Sequence, residues 1–186
     1  MNKALKDRAQ QIKLLAMDVD GVLTDGRLFF SSDGDTLKAF NSQDGHGLKM
    51  LKSTDVSIAI ITGRTSEIVA KRARELGIDI LLQGREDKLT ALREVINSLG
   101  LSLEQAAYMG DDLPDLSAIQ AAGIGIAVAN AASGIAERAD YVTRACGGEG
   151  AVREACEWLL QAQGKWHSLL AQYSLTDTAN SGEATA

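Results

Sequence analysis

Short runs of mainly aliphatic residues recur along the chain and alternate with longer stretches in which apolar residues are three or four positions apart. Each run is largely free of polar residues, as expected for strands that are buried on both faces of a sheet. The runs lie at residues 12–17, 56–61, 78–82, 106–109, 124–128 and 141–142. We therefore predict six short, buried strands.

The stretches between these runs have the periodicity of amphipathic helices. Residues 86–99 carry apolar side chains at a 3.6-residue period, and Gly100 stands where such a helix would end. Further helices are predicted around 48–52 and at 66–76, 113–122 and 151–163. Continuous apolar strands that alternate with helices predict an α/β fold, in which helices cover both faces of a mostly parallel sheet.

One segment interrupts this alternation after the first strand. Two β-prone runs, 27–32 and 36–40, flank Asp33-Gly34-Asp35, and Asp-Gly between such runs is typical of a hairpin turn. We predict a small β-hairpin flap over about residues 26–41. Residues 1–165 are expected to form one domain that includes this flap. Residues 166–186 are expected to form a C-terminal tail that is disordered at its polar end.

Composition excludes several classes of function. The 186 residues, 45% of them hydrophobic, suffice for one domain with a proper core. A net charge of −6 argues against non-specific nucleic-acid binding. The chain lacks the roughly 18 consecutive apolar residues of a membrane span and begins without a signal peptide, so we expect no membrane association. Its two cysteines, Cys146 and Cys156, are too few for a disulfide scaffold and fit a cytoplasmic protein.

Polar residues collect just after the predicted strands, where parallel sheets bind their ligands. Clustered carboxylates repel one another unless a cation lies among them, and oxygen ligands favour Mg²⁺. Asp18 and Asp111 are the predicted metal ligands, with a backbone carbonyl near Asp20 as a third. Asp112 or Asp115, taken alone, is explained equally well as a helix cap or turn residue. The residues at this rim are Asp18, Asp20, Thr62, Gly63, Arg64, Lys88, Asp111, Asp112 and Asp115.

The spacing of Asp18 and Asp20 has a chemical consequence. Residues two apart on a strand point to the same side, so both carboxylates can face one substrate. Asp18 is then a candidate nucleophile that forms an aspartyl-phosphate, and Asp20 a candidate general acid and base. Thr62 and Lys88 would hold phosphoryl oxygens, and the positive charge of Lys88 would offset the carboxylates.

These residues resemble the four motifs of the haloacid dehalogenase superfamily, in the right order and over roughly residues 12–145. The motifs are the segments 18–25, 62–64 and 110–115 together with Lys88. The resemblance implies a Rossmann-like fold, Mg²⁺, Asp18 as nucleophile and Asp20 as acid/base. It also implies that Thr62 and Lys88 contact the phosphate, and that Asp111 binds the metal with support from Asp112 or Asp115.

Arg64 is the best candidate for a contact with a carboxylate or hydroxyl of the substrate, since arginine forms bidentate pairs with carboxylates. The alternative is a structural salt bridge to Glu67 or Asp112.

The spaces between the motifs leave no room for a large cap domain. Only the hairpin and one helix lie between Asp25 and Val56, and one helix and a short strand between Thr62 and Lys88. A bare site would be open to water, and a phosphoryl intermediate benefits from control of the access of water. A neighbouring subunit could act as the lid, with Phe29 or Phe30 of the hairpin at the contact; core burial of one of them is the alternative.

Two further segments, 41–47 and 147–154, resemble the subfamily of phosphatases that act on 3-deoxy-D-manno-octulosonate 8-phosphate in lipopolysaccharide biosynthesis. That subfamily forms tetramers in which hairpins associate, which implies a homotetramer with a small sugar-acid phosphate as substrate. Similar motifs occur in phosphatases of nine-carbon sugar-acid 9-phosphates. Such a compound, or another small phosphate ester, is therefore an alternative substrate. A phospho-accepting signalling domain is an alternative of another class, but it needs neither Asp20 as an acid nor residues 110–112.

Overall fold

The structure is a computed structural model and describes residues 3–174, apart from the side chains of residues 34–36. Six parallel strands form the central sheet in the spatial order β5-β4-β1-β6-β7-β8, and β2 and β3 form a separate antiparallel pair. The strands are β1 Leu14–Met17, β2 Phe29–Ser31, β3 Gly34–Leu37, β4 Ser57–Ile61, β5 Ile80–Leu82, β6 Ala106–Gly110, β7 Ile124–Ala127 and β8 Tyr141–Val142.

Seven α-helices accompany these strands among the described residues, and none of them is long and apolar enough to cross a membrane. They are α1 Lys3–Ala9, α2 Ser42–Lys52, α3 Glu67–Leu76, α4 Lys88–Ser98, α5 Leu116–Ala121, α6 Ala151–Ala162 and α7 Trp166–Tyr173. The sequence patterns did not predict α1 or α7. The segment expected to be a tail therefore begins as a helix, while the disorder expected at the end of the chain concerns residues 175–186, outside the described part.

The core is divided between the two faces of the sheet. Leu15 and Met17 of β1 face one cluster, which includes residues of α2 and α6, whereas Leu14 and Ala16 face a second cluster against α4 and α5. This alternation follows from the two-residue period of a strand. All four β1 residues are buried because both faces are covered, which confirms the predicted α/β fold with helices on both faces.

Three local predictions were wrong in detail. In the hairpin, Gly34 and Asp35 already belong to β3 and pair with Ser31 and Phe30, so the turn lies one residue earlier than predicted. Helix α2 begins at Ser42, well before the predicted helix, because the Asn41 side chain accepts a hydrogen bond from the backbone of Gln43 and caps it. The helix predicted from Leu113 begins with a 3₁₀ turn over Leu113–Asp115 before α5.

The strand order brings the polar segments together. β1 lies between β4 and β6, and Met17 is paired with Ile60 on one side and with Met109 on the other. The residues that follow these three strands therefore meet at one edge of the sheet, at the carboxyl ends, where parallel sheets bind ligands.

Candidate active site

A cleft of about 190 Å³ lies at this edge of the sheet. All nine residues predicted for the site line it, and the structure adds Glu86 and Pro114. Glu86 lies against Gly63: a Cβ atom added to Gly63 would be 2.8 Å from Oε1 of Glu86. The glycine of the second motif therefore leaves room for an acidic side chain that the sequence patterns did not single out.

Lys88 is the buried cation of the cleft. Its side chain is 2% exposed, and its ammonium donates a hydrogen bond to the carbonyl of Ile61 over 2.8 Å. The same nitrogen lies 2.9 Å from Oδ1 of Asp18 and 3.5 Å from Oδ1 of Asp115. Burial of a lysine is costly unless its charge is paired, so these contacts hold a positive charge beside the predicted nucleophile.

Asp115 holds the loop after β6 in place. Its Oδ1 accepts a hydrogen bond of 2.7 Å from the hydroxyl of Tyr108, and its Oδ2 accepts from the backbone N–H groups of Asp111 and Asp112. A Cβ atom on Gly110 would lie 2.4 Å from that of Asp115, so glycine is required there. These contacts fix the backbone of Asp111; that Asp115 supports Asp111 as a metal ligand stays a prediction. Tyr108 was missed, although an aromatic residue among alanines is an unusual strand composition.

Burial, together with mutual repulsion, raises the pKa values of two carboxylates in the cleft. Burial, followed by the negative charge of Asp115, raises the pKa of Asp18 from 3.8 to about 6. Burial and the charges of Asp115, Asp18 and Asp112 raise the pKa of Asp111 from 3.8 to about 7. The positive charge of Lys88 lowers both pKa values but does not cancel these effects.

The same cluster has the chemistry of a divalent cation site. Asp18, Asp111 and Asp115 each offer a carboxylate oxygen, and these atoms lie within 4.8 Å of one another. Because Asp115 accepts hydrogen bonds on both oxygens, Asp18 and Asp111 are the better ligands. A Cβ atom added to Gly21 would lie 2.1 Å from Oδ2 of Asp111, and the φ angle of Gly21, +88°, also favours glycine. This oxygen-rich cradle fits a hard cation such as Mg²⁺.

Asp20 lines the same cleft but is not one of these three carboxylates. Its Oδ1 accepts a hydrogen bond from the buried ammonium of Lys38, and its Oδ2 lies 3.8 Å from Nε of Arg64. A metal contact from Asp20 would therefore use its backbone carbonyl, which stays a prediction. Arg64 forms an ion pair with Asp20, a partner that the sequence analysis did not name. Lys38 was missed, because a lysine within a β-prone hairpin run is typical of an exposed position.

A glycine-rich loop supports the segment that carries Asp20. The backbone N–H of Gly148 donates to the carbonyl of Val22 over 2.9 Å, and a Cβ atom on Gly147 would lie 1.7 Å from the carbonyl oxygen of Gly21. The backbone of Arg153, at the start of α6, donates to Oδ1 of buried Asp44 on α2. The two segments that suggested the subfamily therefore pack against the first motif or against each other.

Comparison with known proteins defines the class of the fold and site. A family model of haloacid dehalogenase-like hydrolases matches residues 81–153. The curated 3-deoxy-D-manno-octulosonate 8-phosphate phosphatase KdsC of Escherichia coli K12 is 47% identical over 158 residues, which cover 85% of this chain and 84% of that protein. The corresponding protein of Salmonella typhi is 46% identical over the same length.

Solved structures agree with these relatives. The 3-deoxy-D-manno-octulosonate 8-phosphate phosphatase of Moraxella catarrhalis, in complex with a magnesium ion, a phosphate ion and a KDO molecule, superposes with a TM-score of 0.91. It is 47% identical and covers 94% of this chain and 100% of that chain. The cobalt-bound Haemophilus influenzae phosphatase has a TM-score of 0.84 at 42% identity, and covers 86% of this chain and 93% of that chain.

Fold, motifs and relatives thus define a haloacid dehalogenase-like hydrolase, an enzyme that cleaves phosphoric monoesters. Within that class, the chain belongs to the family of 3-deoxy-D-manno-octulosonate 8-phosphate phosphatases.

Proposed function

We propose that this protein is a Mg²⁺-dependent phosphatase that hydrolyses 3-deoxy-D-manno-octulosonate 8-phosphate to the free sugar acid and phosphate in lipopolysaccharide biosynthesis. The observation that carries the proposal is the buried contact between Lys88 and Asp18 beside Asp111, in a cleft at the carboxyl ends of the strands. The identity to the curated relatives over 85% of the chain supports the substrate.

The side chains in the cleft supply the parts of a two-step phosphoryl transfer. A carboxylate oxygen of Asp18 forms a bond to phosphorus while the bond from phosphorus to the sugar oxygen breaks, and Asp20 gives that oxygen a proton. Asp20 then takes a proton from the water that attacks phosphorus, and the bond to Asp18 breaks to release phosphate. Thr62 and Lys88 bind phosphoryl oxygens throughout.

Mg²⁺ bound by Asp18 and Asp111 supplies positive charge that offsets the carboxylates and the phosphate. Without a cation this rim would repel the substrate, because its ionised carboxylates carry the same sign of charge as the phosphate. The negative charge of the rim therefore explains why the site needs a metal ion. Asp112, which is exposed at this rim, adds to the negative charge around Asp111.

Arg64 is proposed to bind the substrate carboxylate or a hydroxyl group. Its side chain is 41% exposed at the cleft and its guanidinium lies 5.5 Å from the ring centre of Phe30. Replacement of Arg64 by Met should raise KM for the sugar-acid phosphate at least tenfold, with a much smaller change for a phosphate ester that has no carboxylate. Equal losses on both esters would contradict this role.

The substrate is tested with a panel of phosphate esters in the presence of Mg²⁺. The panel contains the eight-carbon and nine-carbon ulosonate phosphates, phosphoglycolate and nucleoside monophosphates, and phosphate release is measured before and after treatment with EDTA. We expect the highest kcat/KM on the eight-carbon ester, loss of activity with EDTA, and recovery on return of Mg²⁺. A highest kcat/KM on the nine-carbon ester would move the assignment to that substrate, and a highest value on a nucleotide would exclude a sugar acid.

The same experiment separates an enzyme from a phospho-accepting signalling domain. A signalling domain would take up a phosphoryl group from acetyl phosphate and retain it, without repeated release of phosphate. Asp20 and the 110–112 segment favour turnover. Repeated phosphate release at a constant rate would exclude the signalling role.

We further propose that the protein acts as a homotetramer assembled through the hairpin flap. The cleft has a volume of about 190 Å³, which is below the roughly 300–1,000 Å³ of most small-molecule sites. A wall from a second subunit would complete a site of the usual size. Four apolar side chains are exposed on or beside the hairpin: Leu28, Phe29, Phe30 and Leu37. Neither phenylalanine enters the core, so the alternative of core burial does not apply.

The mass in solution tests the assembly. A double replacement of Phe29 and Leu37 by Ser should dissociate the tetramer, whereas replacement of exposed Leu99 by Ser, at the end of α4, should not. A monomeric wild-type protein at assay concentrations would contradict the proposal. A cytoplasmic location is proposed alongside it, since Cys146 and Cys156 are both free thiols.

A further inference from the structure

A second buried lysine lies beside the first motif and has no part in the reaction as described above. Lys38 directly follows β3, its side chain is 2% exposed, and its ammonium donates a hydrogen bond to Oδ1 of Asp20. Lys88 makes the equivalent contact with Asp18. Asp18 and Asp20 of the first motif are thus each paired with a separate buried lysine, one from α4 and one from the hairpin.

The contact joins the loop after β1 to the hairpin. Asp20 lies in the loop after β1, while Lys38 leaves the hairpin 18 residues later in the chain. Phe30, on the other strand of the hairpin, contacts Arg64, whose Nε is 3.8 Å from Oδ2 of Asp20. Both strands of the hairpin therefore reach Asp20, one directly and one through Arg64.

We propose that Lys38 is a positioning residue for Asp20. By anchoring Oδ1 it fixes the carboxyl group in one orientation and leaves Oδ2 to exchange a proton with the leaving oxygen of the substrate. An ammonium group only donates hydrogen bonds, so Oδ1 in this contact is the acceptor and Oδ2 is the oxygen that carries the proton. This inference rests on the proposed function, in which Asp20 is the general acid.

The proposal predicts a dependence on the leaving group. A sugar alkoxide leaves slowly unless it is protonated, whereas p-nitrophenolate leaves without a proton. For both esters, kcat/KM reports the steps up to the first irreversible one, the transfer of the phosphoryl group to Asp18. Loss of the orientation of Asp20 should therefore lower kcat/KM for the sugar phosphate and spare that for p-nitrophenyl phosphate. A purely structural role of Lys38 would lower both together.

The experiment compares Lys38→Met, Lys38→Arg and Asp20→Asn with the wild type on these two esters at saturating Mg²⁺. Lys52→Met is the control, because the Lys52 ammonium likewise contacts a carboxylate, that of Asp79, but lies on the surface away from the cleft. We expect Lys38→Met to lose at least tenfold on the sugar phosphate and less than threefold on p-nitrophenyl phosphate. Lys38→Arg should recover part of the loss, and Lys52→Met should match the wild type.

The outcomes separate this inference from the proposed function. If Asp20→Asn loses the same factor on both esters, Asp20 is not the general acid and the proposed function fails at that step. If Asp20→Asn shows the leaving-group dependence but Lys38→Met loses equally on both esters, or on neither, the positioning role is wrong. Should Lys38→Met fail to fold, as judged by thermal melting, Lys38→Gln provides the same comparison with a neutral polar side chain.

Discussion

Asp111→Asn should stabilise the metal-free protein while abolishing its response to Mg²⁺. In the unfolded chain the Asp111 carboxyl has its ordinary pKa of 3.8, and burial among other carboxylates raises this pKa to about 7 in the fold. The stability linked to the protonated form is therefore fully present below pH ~4 and is lost as the pH rises through 7. Asparagine carries no such penalty at any pH.

The size of the effect follows from the two pKa values. At about 1.4 kcal/mol for each pH unit between them, the ionised carboxylate would cost about 4 kcal/mol. Asp111 is only partly buried, and solvent screening reduces this to about 2 kcal/mol. For a chain of this size, that corresponds to a rise in melting temperature of roughly 4–8 °C at pH 8.

The assay is urea unfolding in EDTA at pH 8 and at pH 4.5, followed by the same titration at pH 8 with Mg²⁺. In EDTA the variant should be more stable at pH 8, and most of the difference should vanish at pH 4.5. Mg²⁺ at 100 times its dissociation constant should stabilise the wild type by about 2.7 kcal/mol and the variant not at all, which reverses their order.

A neighbouring carboxylate provides the control. Asp112 is exposed, and Asn in its place can still accept the hydrogen bond from the backbone of Leu113. Asp112→Asn should therefore change stability by less than about 0.5 kcal/mol and keep the response to Mg²⁺. Equal stabilities of Asp111→Asn and the wild type at pH 8 in EDTA, or a variant that still responds to Mg²⁺, would refute the reasoning.

Three further predictions concern the same cleft. Mg²⁺ affinity, measured by calorimetry, should fall as the pH drops from 8 to 5.5, because Asp18 and Asp111 have pKa values of about 6 and 7 and bind metal only when ionised; an affinity independent of pH would contradict this. Tyr108→Phe removes the hydroxyl that donates to buried Asp115 and should cost about 1–3 kcal/mol in urea unfolding, an expectation that an unchanged midpoint would exclude. Gly147→Ala places a Cβ atom against the carbonyl of Gly21, so it should lower the free energy of unfolding by about 1–3 kcal/mol and lower kcat/KM. Gly100→Ala, whose Cβ meets nothing within 4 Å, should leave kcat/KM unchanged. Equal kcat/KM values for the two variants would contradict the supporting role of the loop.

The sequence predicted most of the sheet because its strands are buried on both faces and therefore read as uninterrupted aliphatic runs. The predicted strand at 12–17 includes β1, and that at 106–109 differs from β6 by one residue. Helix α2 was predicted only in its last turns, since Gly45 and Gly47 are poor helix formers. Both glycines have a tertiary cause: a Cβ atom would meet the Arg72 guanidinium at one and the Arg153 backbone at the other.

The candidate site was predicted in the same uneven way. Carboxylates and cations that follow strands could be found because the topology of a parallel sheet brings strand ends together. Lys38 and Tyr108 could not, because their importance depends on one contact each, with Asp20 and Asp115, that only the folded chain creates. A lysine after a hairpin strand and a tyrosine within a buried strand have ordinary structural explanations in sequence.

Covalent catalysis by Asp18 is the central claim, and trapping the phosphorylated enzyme tests it most directly. The wild type is mixed with 3-deoxy-D-manno-octulosonate 8-phosphate and Mg²⁺, quenched in acid within milliseconds, digested and examined by mass spectrometry. We expect one additional phosphoryl group on the peptide that contains Asp18, and neither this adduct nor phosphate release with Asp18→Asn. Phosphate release by Asp18→Asn at the wild-type rate, or a phosphoryl group trapped on a different residue, would contradict the account.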